Sequence, residues 1–454
     1  MQLDRHILTE LMDWKNSSNR KPLILRGARQ VGKTTVVRHF AQTYKHFIDL
    51  NLEKTDDKFF FNGNDNVRDI VDAIHIEKGL HPDWANTLLF IDEIQESPRA
   101  IHLLRYFYEE LPKLHVIAAG SLLEFAMGNV KSFPVGRVSF LHMFPINFQE
   151  YMKAEGNSRA LEGLKQIPVP DVAHETLMRL FHDYVIVGGM PEIVSSYVRD
   201  HSVSSLPGIY ESIWATYRED VTKYASNDKE RRIMRHLMDY APFVVDQRVT
   251  FQNFGNSGYK SREVSEAFRQ LDNARVVQLI YPTTNLQIPI LPDLKKSPRI
   301  QFLDSGLLNH VLGIQSEMIG LADLHDAWRG AIIPHVVTQE LISLSTNHYQ
   351  KPVFWVRQKT QSQAEVNLVY RHGETIVPIE IKSGSKGKLR SLHQFIEKAP
   401  HGFAVRMYAG KFFVENSVTP GGEPFLLMNL PYYLGTMLPQ YISWFLKEYS
   451  SPES

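Results

Sequence analysis

The sequence predicts an α/β protein built on a parallel sheet, and three features point there. Pro22-Leu-Ile-Leu-Arg26 is a short apolar run that leads straight into Gly27-Ala-Arg-Gln-Val-Gly-Lys-Thr-Thr35. Thr87-Leu-Leu-Phe-Ile91 and His115-Val-Ile-Ala-Ala119 are further apolar runs of strand length. Between them lies a helical stretch, Pro98 to Glu110. Apolar strands alternating with helices belong to a sheet covered on both faces, whose ligand residues gather at the strands' C-terminal ends.

Leu3, Ile7, Leu8, Leu11 and Met12 recur at helical spacing, so a helix precedes the first strand. Gly27, Gly32, Lys33 and Thr34 then match the phosphate-loop pattern at each fixed position, and Val36, Val37 and Phe40 continue as a helix. A strand that turns through glycines into a helix aims backbone N–H groups and the helix's positive end at one point. Gly27, Ala28, Arg29, Gln30, Val31, Gly32, Lys33, Thr34 and Thr35 are therefore the expected nucleoside-triphosphate site, with ATP and Mg²⁺ as ligands. His46-Phe-Ile-Asp-Leu50 reads as a second strand. Leu88-Leu-Phe-Ile-Asp92-Glu93 places two acids where the next strand emerges. Asp92 is expected to hold Mg²⁺ together with Thr34, Lys33 to neutralise the β- and γ-phosphates, and Glu93 to orient and polarise the attacking water.

Two residues further on keep alternative readings. Ser121, after the apolar run that ends at Ala119, either sits beside the γ-phosphate or caps the next helix. Arg137, in Pro134-Val-Gly-Arg137, either stabilises transition-state charge, from its own or a neighbouring subunit, or makes a surface salt bridge.

From about Phe148 to Tyr224 the pattern is helical, broken by a sharp turn at Val187-Gly-Gly-Met-Pro191. A helix from about Asp228 is followed by a loop rich in Asn, Gly and Ser (253–258) and a second helix carrying Val264, Ala267, Phe268 and Leu271 on one face. Ala274-Arg-Val-Val-Gln-Leu-Ile280 then reads as a strand, and the order suits a winged-helix-like module. Lys260, Arg262, Arg269 and Arg275 there are compatible with DNA backbone contact or with an ordinary charged helix face. From about Ile300 a new unit begins, with a helix around His335 to Ser343 and strands near Val353, Val366 and Ile376. The expected division is 1–147 ATPase core with N-terminal helix, 148–227 helical lid, 228–290 winged-helix-like module and 291–454 C-terminal α/β domain.

Composition narrows the setting. Of 454 residues, 43% are apolar and 22% charged, and Lys plus Arg equals Asp plus Glu at 50 each, so any nucleic-acid surface must be local. The absence of cysteine excludes disulfides and thiolate zinc sites and fits a reducing interior. The N-terminal residues lack the apolar core of a secretory signal, and Leu430 to Leu446 is broken by Pro431, Gly435, Pro439 and Gln440. A soluble cytoplasmic protein without membrane contact is expected.

Gly-Ala-Arg-Gln-Val-Gly-Lys-Thr-Thr, Leu-Phe-Ile-Asp-Glu-Ile-Gln, Ala-Gly-Ser-Leu-Leu-Glu, Gly-Arg-Val with Phe-Pro-Ile-Asn-Phe-Gln-Glu-Tyr, and Gly-Gly-Met-Pro occur in one order. In that order the chain resembles, over nearly its whole length, the prokaryotic AAA+ ATPases that carry a C-terminal domain of uncharacterised function. The resemblance implies an AAA+ core with Ser121 at the sensor position, a winged helix, and a C-terminal domain similar to the restriction-endonuclease fold. It also implies neighbouring protomers in a homo-oligomer. Nucleases of that fold hold Mg²⁺ with an acid on one strand and Glu-x-Lys on the next, often helped by a helix Glu. Glu380-Ile-Lys382 fits and Glu340 is the candidate helix acid, but the aspartate position falls on Asn367, with Glu365 two residues earlier on the same face. A neutral donor weakens a Mg²⁺ site, so Glu340, Asn367, Glu380 and Lys382 are expected to form a vestigial site without nuclease activity. The basic run Lys382, Lys386, Lys388 and Arg390 is a candidate phosphate-backbone contact. The main expectation is an ATP-hydrolysing switch acting on DNA or protein partners. The alternatives are an ATP-gated, Mg²⁺-dependent nuclease and a regulator that holds ATP without turnover.

Overall fold

The structure, a computed structural model, describes residues 3–63, 66–120, 133–223, 225–319, 324, 330–347, 350–358, 364–382 and 389–449. Helix α1 (Ile7–Asn16) leads into β1 (Leu23–Arg26), the phosphate loop and α2 (Lys33–Ala41). Then come β2 (His46–Asn51), α3 (Val67–Lys78), β3 (Thr87–Asp92), α4 (Pro98–Glu110), β4 (His115–Gly120) and β5 (Ser139–His142). The strands form one parallel sheet in the order β2-β3-β4-β1-β5. Strand alternation explains why each run is apolar throughout. Leu23, Leu25, Leu88, Phe90, Ile117 and Ala119 enter one core, while Ile24, Leu89, Ile91, Val116 and Ala118 enter the core on the other face.

Helices α5 (Phe148–Ala154), α6 (His174–Val187), α7 (Pro191–Asp200) and α8 (Pro207–Thr222) follow. The turn between α6 and α7 requires its two glycines. Gly188 has φ +76, and a Cβ on it would lie 2.5 Å from Asp304 Oδ1. A Cβ on Gly189 would lie 2.0 Å from the Ile146 carbonyl oxygen, because the Gly189 carbonyl accepts from Ile146 N–H at 2.7 Å.

Helices α9 (Asp228–Tyr240) and α10 (Ser261–Asn273) pack on one another, and α10 packs on β6 (Val277–Ile280). After β6 the chain makes β7 (Pro282–Thr283) and returns as β8 (Arg299–Phe302), antiparallel to β6. The hairpin's second strand thus lies beyond the boundary expected at 290. Strand β7 leaves the hairpin and pairs with the C-terminal sheet. Helix α11 (Ser305–Leu312) then returns to pack on α6.

The C-terminal part contains α12 (Ile332–Ser343), β9 (Val353–Val356), β10 (Glu365–His372), β11 (Thr375–Ile381), α13 (Arg390–Ile396), β12 (Phe403–Tyr408), β13 (Phe413–Val418), β14 (Pro424–Pro431) and α14 (Leu438–Tyr449). Its mixed sheet runs β13-β14-β12-β11-β10-β9-β7. One contiguous core passes from Leu25 through Phe148, Tyr184, Leu237 and Ile333 to Ile379 and Tyr441. No helix among the described residues is long and apolar enough to cross a membrane.

The glycine turn gives a stability prediction. Gly189→Ala forces backbone apart where nothing flexible can yield, so it should cost on the order of 3 kcal/mol and lower the thermal midpoint by several degrees. Gly208→Ala, which meets nothing within 4 Å, should leave the midpoint unchanged or raise it slightly. Equal midpoints for the two variants would contradict this account of the turn.

Candidate functional site

The phosphate loop is shaped by two close constraints. Gly32, which precedes α2, has φ +95, a left-handed conformation that glycine adopts without strain. A Cβ on Gly27 would lie 2.4 Å from the Met143 carbonyl oxygen, so the loop presses against the chain leaving β5. Lys33 is buried, and its Nζ donates to the carbonyls of Gly27 and Ala28 at 3.0 and 2.8 Å. Burial lowers its pKa to about 8, and the nearby charges of Glu93 and Asp92 pull the other way. The ammonium is thus already held in the ring where phosphate oxygens bind in loops of this kind.

Thr34 lies in the first turn of α2, and its hydroxyl donates to Asp92 Oδ2, at the end of β3, at 2.7 Å. Burial raises the Asp92 pKa, opposed by that bond. Glu93 follows with φ +49, rare for a residue with a side chain, and Gln95 Nε2 donates to its Oε2 at 2.5 Å. Arg29, Lys33, Thr34 and Glu93 share one cleft of about 440 Å³. Leu3, Met143, Pro191, Glu192 and Ser195 line the same cleft, and Met143 and Pro191 lie against Gly32.

Sequence reasoning missed several residues that build this cleft. Arg5, nearly buried, donates through Nε to Glu150 Oε1 at 3.1 Å, through Nη1 to the Val31 carbonyl at 3.0 Å, and through Nη2 to the Phe144 carbonyl at 2.6 Å. Asp220, in the last turn of α8, takes the Arg29 guanidinium. A lone arginine before a helix and an aspartate at a helix end carry no motif. Arg137 lies away from the cleft in its own chain: Nε donates to Glu109 Oε1 at 2.8 Å and the side chain is 43% exposed. Ser121 lies outside the described residues.

The C-terminal residues fall into two neighbourhoods. Alternation places Glu380 and Lys382 together on β11 and its end, with Lys382 Nζ 3.0 Å from Glu380 Oε1. The Asn367 Oδ1 accepts the Ile381 N–H at 3.0 Å, so it serves the strand pair. Glu365 is taken by Arg299, whose Nη1 also donates to Asp246 Oδ1 at 3.0 Å. Apart from the buried Glu380 Oε2, which has no hydrogen-bond partner, the donors expected around a metal on these strands are engaged by cations and backbone. Among the described residues no cluster of three or more His, Asp or Glu is arranged to hold a metal. Glu340 keeps other company: it accepts from Phe148 N–H at 3.1 Å and from the Tyr184 hydroxyl at 2.6 Å. It therefore ties α12 to α5 and α6.

The basic residues expected to face DNA are interleaved with acids. Of those named, Arg269 pairs with Glu266 at 3.3 Å and Arg275 is buried at the turn from α10 to β6; beside them Glu263 is taken by Lys229 at 2.5 Å. Lys386 and Lys388 lie outside the described residues.

Residues 19–152 match the model of an AAA domain. Residues 178–318 match a domain of unknown function (DUF8612), and residues 329–420 match another (DUF4143). No curated protein matches the sequence. Among solved structures, the chain is similar to the Walker-type ATPase of Pyrococcus abyssi at 14% identity, covering 68% of this chain and 96% of that one, with a TM-score of 0.44. It is similar to the RuvB Holliday junction branch migration motor of Thermotoga maritima at 15% identity, covering 61% and 89%, with a TM-score of 0.26. PCH-2 of C. elegans is similar at 14% identity, covering 46% and 63%, with a TM-score of 0.28.

Glu340 provides a pH prediction. Burial raises its pKa from the ordinary 4.5 to about 8, against the hydrogen bonds from Tyr184 and Phe148. The folded chain therefore retains a proton that the unfolded chain has released. That contribution to stability is complete below about pH 4.5 and is lost as pH rises through about 8. Glu340→Gln should flatten this part of the pH–stability profile, removing a slope worth on the order of a few kcal/mol between pH 5 and 8. Parallel profiles for the two proteins would contradict a protonated Glu340.

Proposed function

We propose that this chain is an ATP-hydrolysing switch whose nucleotide state is passed to its helix-hairpin and C-terminal parts. The observation that carries the reading is the convergence of Lys33, Thr34, Asp92 and Glu93, with Thr34 and Asp92 hydrogen-bonded at 2.7 Å. Lys33 neutralises the β- and γ-phosphates and the loop N–H groups receive their oxygens. Thr34 and Asp92 would hold Mg²⁺, which when bound would supply positive charge to offset that of the phosphates. Glu93, steadied by Gln95, orients and polarises the attacking water. Leu3, Met143 and Pro191 fit the flat apolar faces of a purine, with Glu192 and Ser195 as its polar contacts.

Outside the ATPase core, α9, α10 and the β6–β8 hairpin act as a winged-helix-like module. The C-terminal sheet is read as a nuclease-like domain that binds rather than cuts. Supporting this, Asn367 and the engaged carboxylates leave a poor Mg²⁺ site. DNA is the partner this reading favours, through the module and the basic end of β11, and Arg137 acts across a subunit interface of a homo-oligomer. Steady-state ATP hydrolysis with and without double- and single-stranded DNA tests the partner: stimulation supports DNA, and indifference points to a protein.

Lys33→Ala should weaken ATP binding about a hundredfold or more, because the phosphates lose their fixed cation. Glu93→Gln should keep binding and lower kcat about 10²- to 10⁴-fold. Full hydrolysis by Glu93→Gln would remove its assigned role.

Arg137→Ala should bind ATP normally and hydrolyse it at least about a hundredfold more slowly. Mixing it with Lys33→Ala should restore part of the rate, since each supplies what the other lacks. An Arg137→Ala protein fully active alone would leave Arg137 as a surface partner of Glu109.

A further inference from the structure

Arg29 differs from the rest of the loop in what holds it. Helix α8 lies beyond the segment that matches the AAA domain, yet its last turn closes on the loop. The Tyr217 hydroxyl donates to the Arg29 carbonyl at 2.5 Å, and the Asp220 carboxylate takes the Arg29 guanidinium. Tyr217 and Asp220 are buried, whereas the Arg29 side chain is 31% exposed and lines the cleft beside Lys33, Thr34 and Glu93. Glu53 lies 3.9 Å from its other side. A cation facing the phosphate space is therefore tethered to a buried acid on the following segment.

We propose that Arg29 and Asp220 form a latch that responds to the terminal phosphoryl group of a nucleoside triphosphate. This rests on the ATP reading above. Without nucleotide, Asp220 holds the guanidinium. A triphosphate presents oxygens of the same geometry and greater charge in the same cleft, and a guanidinium fork serves carboxylate or phosphate but not both fully. Arg29 then turns to the phosphate, next to Glu93. A diphosphate lacks that outer group and leaves the latch shut.

The exchange leaves no buried charge bare. Lys223 Nζ sits 2.7 Å from Asp220 Oδ1 and remains when Arg29 leaves. Tyr217 keeps its hold on the Arg29 backbone, so only the side chain moves. Helix α8, whose last turn exchanges the Arg29 cation for Lys223 alone, packs on α9 and α11, which lead to the hairpin and the C-terminal part. A ligand shifts such an equilibrium only by its differential affinity for the two states, and here that difference is one phosphoryl group.

Equilibrium binding of a non-hydrolysable ATP analogue and of ADP to the full chain, with Mg²⁺, tests the latch. Asp220→Asn should tighten the ATP analogue about five- to tenfold and ADP less than about twofold. In an Arg29→Ala background the same change should have no effect on either nucleotide, and Asp220→Glu should restore the original ratio. Lys223→Ala, at an exposed side chain, gives the opposite sign without disturbing the core: Asp220 grips Arg29 harder, and only the ATP analogue binds more weakly. An unchanged ATP-to-ADP ratio in both Asp220→Asn and Lys223→Ala would overturn the latch, as would equal tightening without Arg29. An unmodified chain that binds neither nucleotide would instead overturn the ATP reading itself.

Discussion

Arg5 is bonded to three parts of the chain at once: the phosphate loop at Val31, the segment after β5 at Phe144, and Glu150 in α5. Glu150 returns the favour, accepting the His6 N–H at 2.7 Å and the Asn147 N–H at 3.1 Å while capping its own helix. A buried guanidinium is tolerated only when its donors are met, and losing one partner of such a pair costs about 3–5 kcal/mol. The loop is therefore not a free turn on the edge of a sheet. Its backbone is fastened to the point where the parallel sheet ends and the helical region begins.

From that point the connections continue in the same physical terms. The N-terminus of α5 is met by Glu340 of α12, so the C-terminal part supplies the carboxyl that satisfies the Phe148 N–H there. The Gly188–Gly189 turn fits between Ile146 and the Asp304 carboxylate, which caps α11. Strand β7 extends the C-terminal sheet from within the hairpin. Shared core and shared strands make these regions move together or not at all, because packed interfaces have discrete arrangements. On the proposed reading, transmission between them runs through a change in which polar partners are engaged.

The parts legible in the sequence are those whose chemistry demands fixed spacing. A phosphate cradle needs Gly27, Gly32, Lys33 and Thr34 in one turn, and the Asp92–Glu93 pair needs a strand end, so both stood out. The apolar runs of β1, β3 and β4 read correctly as strands because both faces of the sheet are covered. The rest depends on partners distant in sequence: Arg5 meets Phe144 across 139 residues, and Arg29 meets Asp220 across 191. No periodicity records such pairs. Alternation correctly set Glu380 beside Lys382, but it gave no sign that Arg299 occupies the adjacent acids or that Glu340 faces α5. Arg275 looked like a surface base and is buried, because the turn after α10 folds it inward.

Amide hydrogen exchange compared between ATP-bound and ADP-bound Glu93→Gln protein tests the central claim most directly, since it reads every segment at once. An ATP-specific change in protection is expected in the last turn of α8 and in α9, in addition to the loop itself. A change confined to residues 27–35 and 88–93, with α8 and α9 identical in the two states, would contradict it.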